Sequence, residues 1–109
     1  MSSQEVKLYH NKVIRDGLPE YFEDKGIKFT AVTISGEEKL KALEKKILEE
    51  FDEYKEKRYI SEMADLIEVA YSICSELGYS QTDIDIMRLQ KRRQLGGFNN
   101  GVFLIETIE

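Results

Sequence analysis

Residues 37–57, EEKLKALEKKILEEFDEYKEK, decide the fold. Their apolar positions Leu40, Leu43, Ile47, Phe51 and Tyr54 recur at spacings of three and four, the signature of one helix face rather than of a strand. The same face can be drawn as Leu40, Leu43, Ile47, Glu50 and Tyr54. A carboxylate then sits in a slot that patterning gives to an apolar side chain. Glu50 is expected to point inward, with Glu53 at the border of that face, Glu49 nearly on the opposite side and Asp52 off the apolar centre.

Working outward, a break near Arg58-Tyr59-Ile60 leads to Ser61 as an N-cap and a second helix ending at about Leu77, before Gly78. So short a connection makes an antiparallel pair. Ser80-Gln81-Thr82-Asp83 resembles a capping box with Asp in place of Glu, opening a third helix to about Gln94 before Gly96-Gly97. Upstream, Pro19 to Lys25 reads as a short helix with proline in its first turn and Gly26 past its end. Residues 28–34 alternate Phe29, Ala31, Thr33 against Thr30, Val32, Ile34, a strand pattern, and Val102 to Ile108 reads as a second strand. Two isolated strands leave edges open, so they are expected to pair with each other or across a dimer. The expected fold is a mainly α helical bundle with a short N-terminal helix and two peripheral strands.

The second helix carries Met63, Leu66, Ile67, Ala70, Ile73, Cys74 and Leu77, extended by Ala64, Val69 and Tyr71. Such a wide apolar arc predicts burial on several sides and, in so small a chain, a homo-oligomer. At 109 residues the chain fits one domain, 1–109. With one proline, 34% charged and 41% apolar residues, disorder and low complexity are not expected. Acids outnumber bases 21 to 16, which speaks against a nucleic-acid partner. The lone Cys74 in an apolar stretch fits a buried thiol in a reducing compartment. No apolar run approaches a membrane span and no charged-then-apolar leader is read at the start, so the expected location is cytoplasmic. His10 is the only histidine, so any metal must be held by carboxylates.

Glu62 and Asp65, three apart near the start of the second helix, repeat the spacing of Glu50 and Glu53. An antiparallel pair with a short turn lets all four converge. Unneutralised they repel and take up protons; a hard divalent cation, Mg²⁺ or alternatively Mn²⁺, relieves that penalty. Acids at helical spacing usually form a solvated face, and Glu62 also suits a helix N-terminus. Two i,i+3 pairs on adjoining helices, one interrupting an apolar stripe, favour a metal site over that alternative.

Leu48-Glu49-Glu50-Phe51-Asp52-Glu53 and Glu62-Met63-Ala64-Asp65 resemble the Glu-Glu-x-x-Glu and Glu-x-x-Asp helices of the all-α nucleoside triphosphate pyrophosphohydrolase superfamily, the MazG-type and phosphoribosyl-ATP pyrophosphohydrolase-like proteins. Asn11-Lys12-Val13-Ile14-Arg15-Asp16 with Pro19 is similar to the opening motif of a small branch of them, and Lys91 through Gly96-Gly97-Phe98 to its closing motif. The likeness spans nearly the whole chain. It departs in the short gap between Glu53 and Glu62, in Gly17 where lysine is common and in Leu95 where arginine is.

The resemblance implies Mg²⁺-dependent hydrolysis of a nucleoside triphosphate between the α and β phosphates, giving monophosphate and pyrophosphate; house-cleaning of non-canonical nucleotides is one such use. The metal ligands would be Glu50, Glu53, Glu62 and Asp65, with Glu53 or Glu49 accepting the proton of the attacking water. A triphosphate also asks for cations. Asn11, Lys12, Arg15, Lys91 and Arg92, with Arg93, are the candidates. For the Lys91-Arg92-Arg93 run, favourable charge at a helix C-terminus is an equal alternative. Tyr9, Tyr54, Tyr71 and Phe98 carry no assignment to the base. The contrasting expectation, from another class, is a helical oligomer that binds nucleotide or a protein partner without turnover.

Overall fold

The computed structural model describes residues 5–109. Among these residues four helices follow one another: α1 Leu18–Asp24, α2 Gly36–Lys57, α3 Ile60–Glu76 and α4 Gln81–Leu95. Pro19 sits in the first turn of α1, where its missing N–H costs nothing. α2, 22 residues and about 33 Å long, is the framework element.

α2 and α3 form an antiparallel hairpin, and the turn between them is two residues long. Arg58 takes a left-handed conformation (φ 60°) and its N–H donates to the Tyr54 carbonyl, closing α2. Tyr59 is extended and serves as the N-cap of α3. This corrects the expected cap: Ser61 lies inside the first turn, because one left-handed residue reverses the chain quickly enough for the helix to restart at Ile60. At the far end of the hairpin, Lys39 pairs with Glu76 at 2.5 Å.

α4 lies against α3, pinned by the Tyr71 hydroxyl donating to Asp85 Oδ1 at 2.6 Å. Its start is the expected capping box. The Asp83 N–H donates to Ser80 Oγ at 3.1 Å, and the Ser80 N–H donates to Asp83 Oδ2 at 2.9 Å. Aspartate closes the box as glutamate would, because its shorter side chain still reaches the cap N–H.

No strand forms among the described residues. Residues 28–34 and 102–108, both expected as strands, have extended or irregular backbone without a ladder. Alternation of apolar and polar residues supplies a face, but a strand also needs hydrogen-bond partners, and the single chain brings these two segments to none. The first is held near its start, where Phe29 packs on Phe22 of α1 with ring centroids 5.5 Å apart, and at its end by the half-buried Ile34. The second, from Val102 to Ile108, is almost fully solvent-facing.

The core is thin. Among the described residues Leu43 is the one buried apolar side chain, and Glu50, on the same face of α2, is the one buried charged side chain. Phe51, drawn into the stripe by the first reading of the pattern, is 44% exposed. The stripe that packs on α3 is therefore the second one, Leu40, Leu43, Ile47, Glu50 and Tyr54. α3 buries one side of its arc against α2 and part of another against α4, leaving Ile60, Ile67 and Leu77 open. The radius of gyration is 19.2 Å, against about 13 Å for a compact domain of this length. No helix among the described residues is long and apolar enough to cross a membrane.

Candidate metal centre

The two-residue turn sets the site. It lays the last two turns of α2 beside the first two of α3, so that Glu50 faces Glu62 and Asp65. One carboxylate oxygen from each of the three lies within 4.8 Å of the others. Oxygens around a six-coordinate Mg²⁺ lie about 3–4 Å apart, so this spacing is close to what an ion imposes.

The fourth expected ligand, Glu53, stands outside that triad but against Glu62. Burial first, and then the adjoining Glu50 and Glu53 carboxylates, raise the Glu62 pKa above the usual glutamate range. Glu53 and Glu49 also line a shallow hollow on the outer side of α2, with Lys45, Leu48, Asp52 and Glu56.

The two oxygens of Glu50 have different surroundings. Oε1 accepts from Lys46 Nζ at 3.1 Å. Oε2 is buried and has no hydrogen-bond partner among the described residues. An ionised oxygen that has lost water and gained nothing costs about 1–3 kcal/mol or more, and native folds rarely retain one without a use. An acidic triad alone is common on protein surfaces. With a buried, unpartnered carboxylate oxygen it becomes a donor set that fits a hard cation.

Basic side chains ring the acids. Lys12 Nζ lies 2.8 Å from Glu49 Oε1, Lys46 Nζ 3.2 Å from the same oxygen, and Arg15 Nη2 2.5 Å from Asp65 Oδ1. For Glu49, burial pushes the pKa up, but the ammonium groups of Lys12 and Lys46 outweigh it and hold the pKa below the usual value. Burial acts against the charge of Lys46 too, and its bonds to Glu50 and Glu49 more than offset this, so its pKa is raised. Lys46 was not legible as a site residue, although its place one turn before Glu50 on the same face was the available signal.

The structure thus brings Lys12 and Arg15 from the N-terminal segment onto the acidic cluster. Asn11 stands beside them in a left-handed conformation (φ 47°), with its side chain exposed. Lys91, Arg92 and Arg93 are exposed on the last turns of α4, and none of them takes part in the ion pairs of the cluster. Arg92 instead lines a separate hollow of about 290 Å³ with Gly96, Gly97 and Phe98.

The raised Glu62 pKa would make binding of a cation by this cluster pH-dependent. A cation held here would compete with protons for Glu62, so Mn²⁺ affinity is expected to fall as pH drops through that raised pKa, at a higher pH than an ordinary glutamate would give. For the ion-free fold the sign is opposite. The crowded Glu62 destabilises it at neutral pH, and the penalty is relieved as pH falls through the same pKa. Mn²⁺ titrations across pH on the wild type and Glu62→Gln check this, and the variant should lose that step.

Compared with known proteins, the chain matches no family model, no curated protein and no solved structure.

Proposed function

We propose that this chain is a Mg²⁺-dependent nucleoside triphosphate pyrophosphohydrolase of the MazG-like, all-α type, cleaving between the α and β phosphates and working as a homo-oligomer. The observation that carries the reading is Glu50 Oε2, buried and unpartnered beside Glu62 and Asp65 with cations at the rim. The sequence motifs on α2, α3 and the N-terminal segment supply the reaction class.

Glu50, Glu62 and Asp65 would be the ligands, with Glu53 next to Glu62 at the edge of the set, where it would face the attacking water rather than the ion. Mg²⁺, or Mn²⁺ in its place, supplies charge neutralisation at the phosphate oxygens and a lowered pKa for the attacking water. Lys12 and Arg15 are the first phosphate contacts. Both are partly exposed and bonded to carboxylates on one side only, so each can turn toward an incoming anion. Asn11 adds a donor beside them. Lys91 and Arg92 belong to the site only if α4 or a second copy brings them to it.

Of the two candidate bases, Glu53 is the better. Glu49 is held ionised by two ammonium groups and is a weak proton acceptor, whereas Glu53 has no cation partner among the described residues. Glu53 therefore takes the proton of the attacking water, and Glu49 anchors Lys12 and Lys46.

The thin core supports the oligomer. Among the described residues one apolar side chain is buried and an apolar face of α3 stays open, which is little burial for a chain of this length to fold on alone. A second copy laid on α3, as a dimer or within a tetramer, covers Ile60, Ile67 and Leu77 and offers residues 28–34 and 102–108 the strand partners they lack within one chain.

Incubation with a panel of canonical and modified nucleoside triphosphates and Mg²⁺ should release pyrophosphate, and Glu50→Gln with Glu53→Gln should abolish it. Tight triphosphate binding with no turnover under Mg²⁺ or Mn²⁺ would instead select the non-catalytic nucleotide-binding oligomer.

A further inference from the structure

Three carboxylates, Glu50, Glu62 and Asp65, face one another; Glu53 stands beside Glu62, Glu49 is joined to Glu50 through Lys46, and two further cations, Lys12 on Glu49 and Arg15 on Asp65, complete the surroundings. The three cations are not equivalent. Lys12 and Arg15 come from an exposed loop segment. Lys46 rises from within α2, its side chain is 16% exposed, and its ammonium bridges Glu49 Oε1 at 3.2 Å and Glu50 Oε1 at 3.1 Å.

Adjacent carboxylates bridged on one side by a cation are what a two-ion site presents to its second ion. Here the bridging position is filled by a side chain. Lys46 therefore divides the cluster. The Glu49 and Glu50 Oε1 side is neutralised from within the protein, and Glu50 Oε2 is left for the Glu62 and Asp65 side.

Resting on the metal-centre reading above, we propose that Lys46 is a built-in cation standing in place of a second metal ion, so that the nucleotide-free site takes a single divalent cation on the Glu50 Oε2, Glu62 and Asp65 side. Lys46 is a specificity-determining residue for ion number and does not itself touch the ion. Its ammonium lies close enough to repel a bound divalent ion through partly buried surroundings, so it also limits the affinity of the ion that does bind.

The test is Mn²⁺ titration of the full chain without nucleotide, followed by electron paramagnetic resonance of free Mn²⁺ and by calorimetry. Wild type should bind one ion per chain. Lys46→Met keeps length and apolar stem but removes the charge; it should bind the first ion about tenfold more tightly, with the site left more acidic by one charge, and admit a second. Lys46→Arg restores a cation and should return to one ion at wild-type affinity, separating charge from loss of fold. Two ions in the wild type, or one ion at unchanged affinity in Lys46→Met, would overturn the proposal while leaving the metal centre in place. No Mn²⁺ binding by folded wild type would remove the metal centre itself, and the role of Lys46 with it.

Discussion

Replacing Glu50 with leucine is expected to stabilise the ion-free protein and abolish its response to Mg²⁺. Position 50 lies on the stripe of α2 that packs on α3, between Ile47 and Tyr54, and is 5% exposed. Leucine suits that slot. The substitution removes an oxygen with no partner and a charge crowded by Glu62 and Asp65. Against this stands the lost bond to Lys46, which keeps Glu49 and some access to water. Relief of the unsatisfied carboxylate outweighs it, for a net gain of about 1–3 kcal/mol. Thermal and denaturant unfolding with and without Mg²⁺ measure both effects. Wild type should gain stability with Mg²⁺, and Glu50→Leu should start higher and gain none. If Glu50 were only a structural partner of Lys46, the leucine variant would be less stable than wild type, as broken buried pairs are.

The second large effect concerns the open side of α3. Ile67 is 52% exposed in the single chain, between Ile60 and the last turns of the helix. In the proposed oligomer it is buried against a second copy, and aspartate there places an uncompensated charge in an apolar interface. Wild type is expected to sediment as a dimer or tetramer. Ile67→Asp is expected to dissociate and, because one chain buries so little, to lose most of its cooperative unfolding transition. Light scattering coupled to size exclusion, together with circular dichroism, reads both. A wild type that is monomeric and cooperatively folded would refute the oligomer, and an Ile67→Asp variant that keeps wild-type mass would move the interface elsewhere.

The helices were legible because their signals are local. The three-four spacing from Leu40 to Tyr54, the Ser80 and Asp83 box, and the Gly78 stop each act within a turn or two of chain. The inward direction of Glu50 was legible for the same reason, since a carboxylate in an apolar register announces itself. Ser61 has the better capping chemistry, but the left-handed Arg58 decides the turn and makes Tyr59 the cap of α3. The strand segments showed a pattern without revealing whether a ladder partner exists, which depends on contacts far along the chain or in another copy. Lysine on a charged helix is ordinary, and it is burial and the distances to Glu49 and Glu50 that distinguish Lys46 from its exposed neighbour Lys45. The pairing of Lys12 with Glu49 and Arg15 with Asp65 joins residues far apart in sequence, so no local rule could supply it.

The chemistry proposed for the site is tested most directly by ³¹P NMR of a triphosphate turnover in ¹⁸O-labelled water with Mg²⁺. Attack at the α-phosphorus predicts nucleoside monophosphate carrying the label and unlabelled pyrophosphate, both absent with Glu50→Gln. Orthophosphate with nucleoside diphosphate, or label in the pyrophosphate, would contradict it.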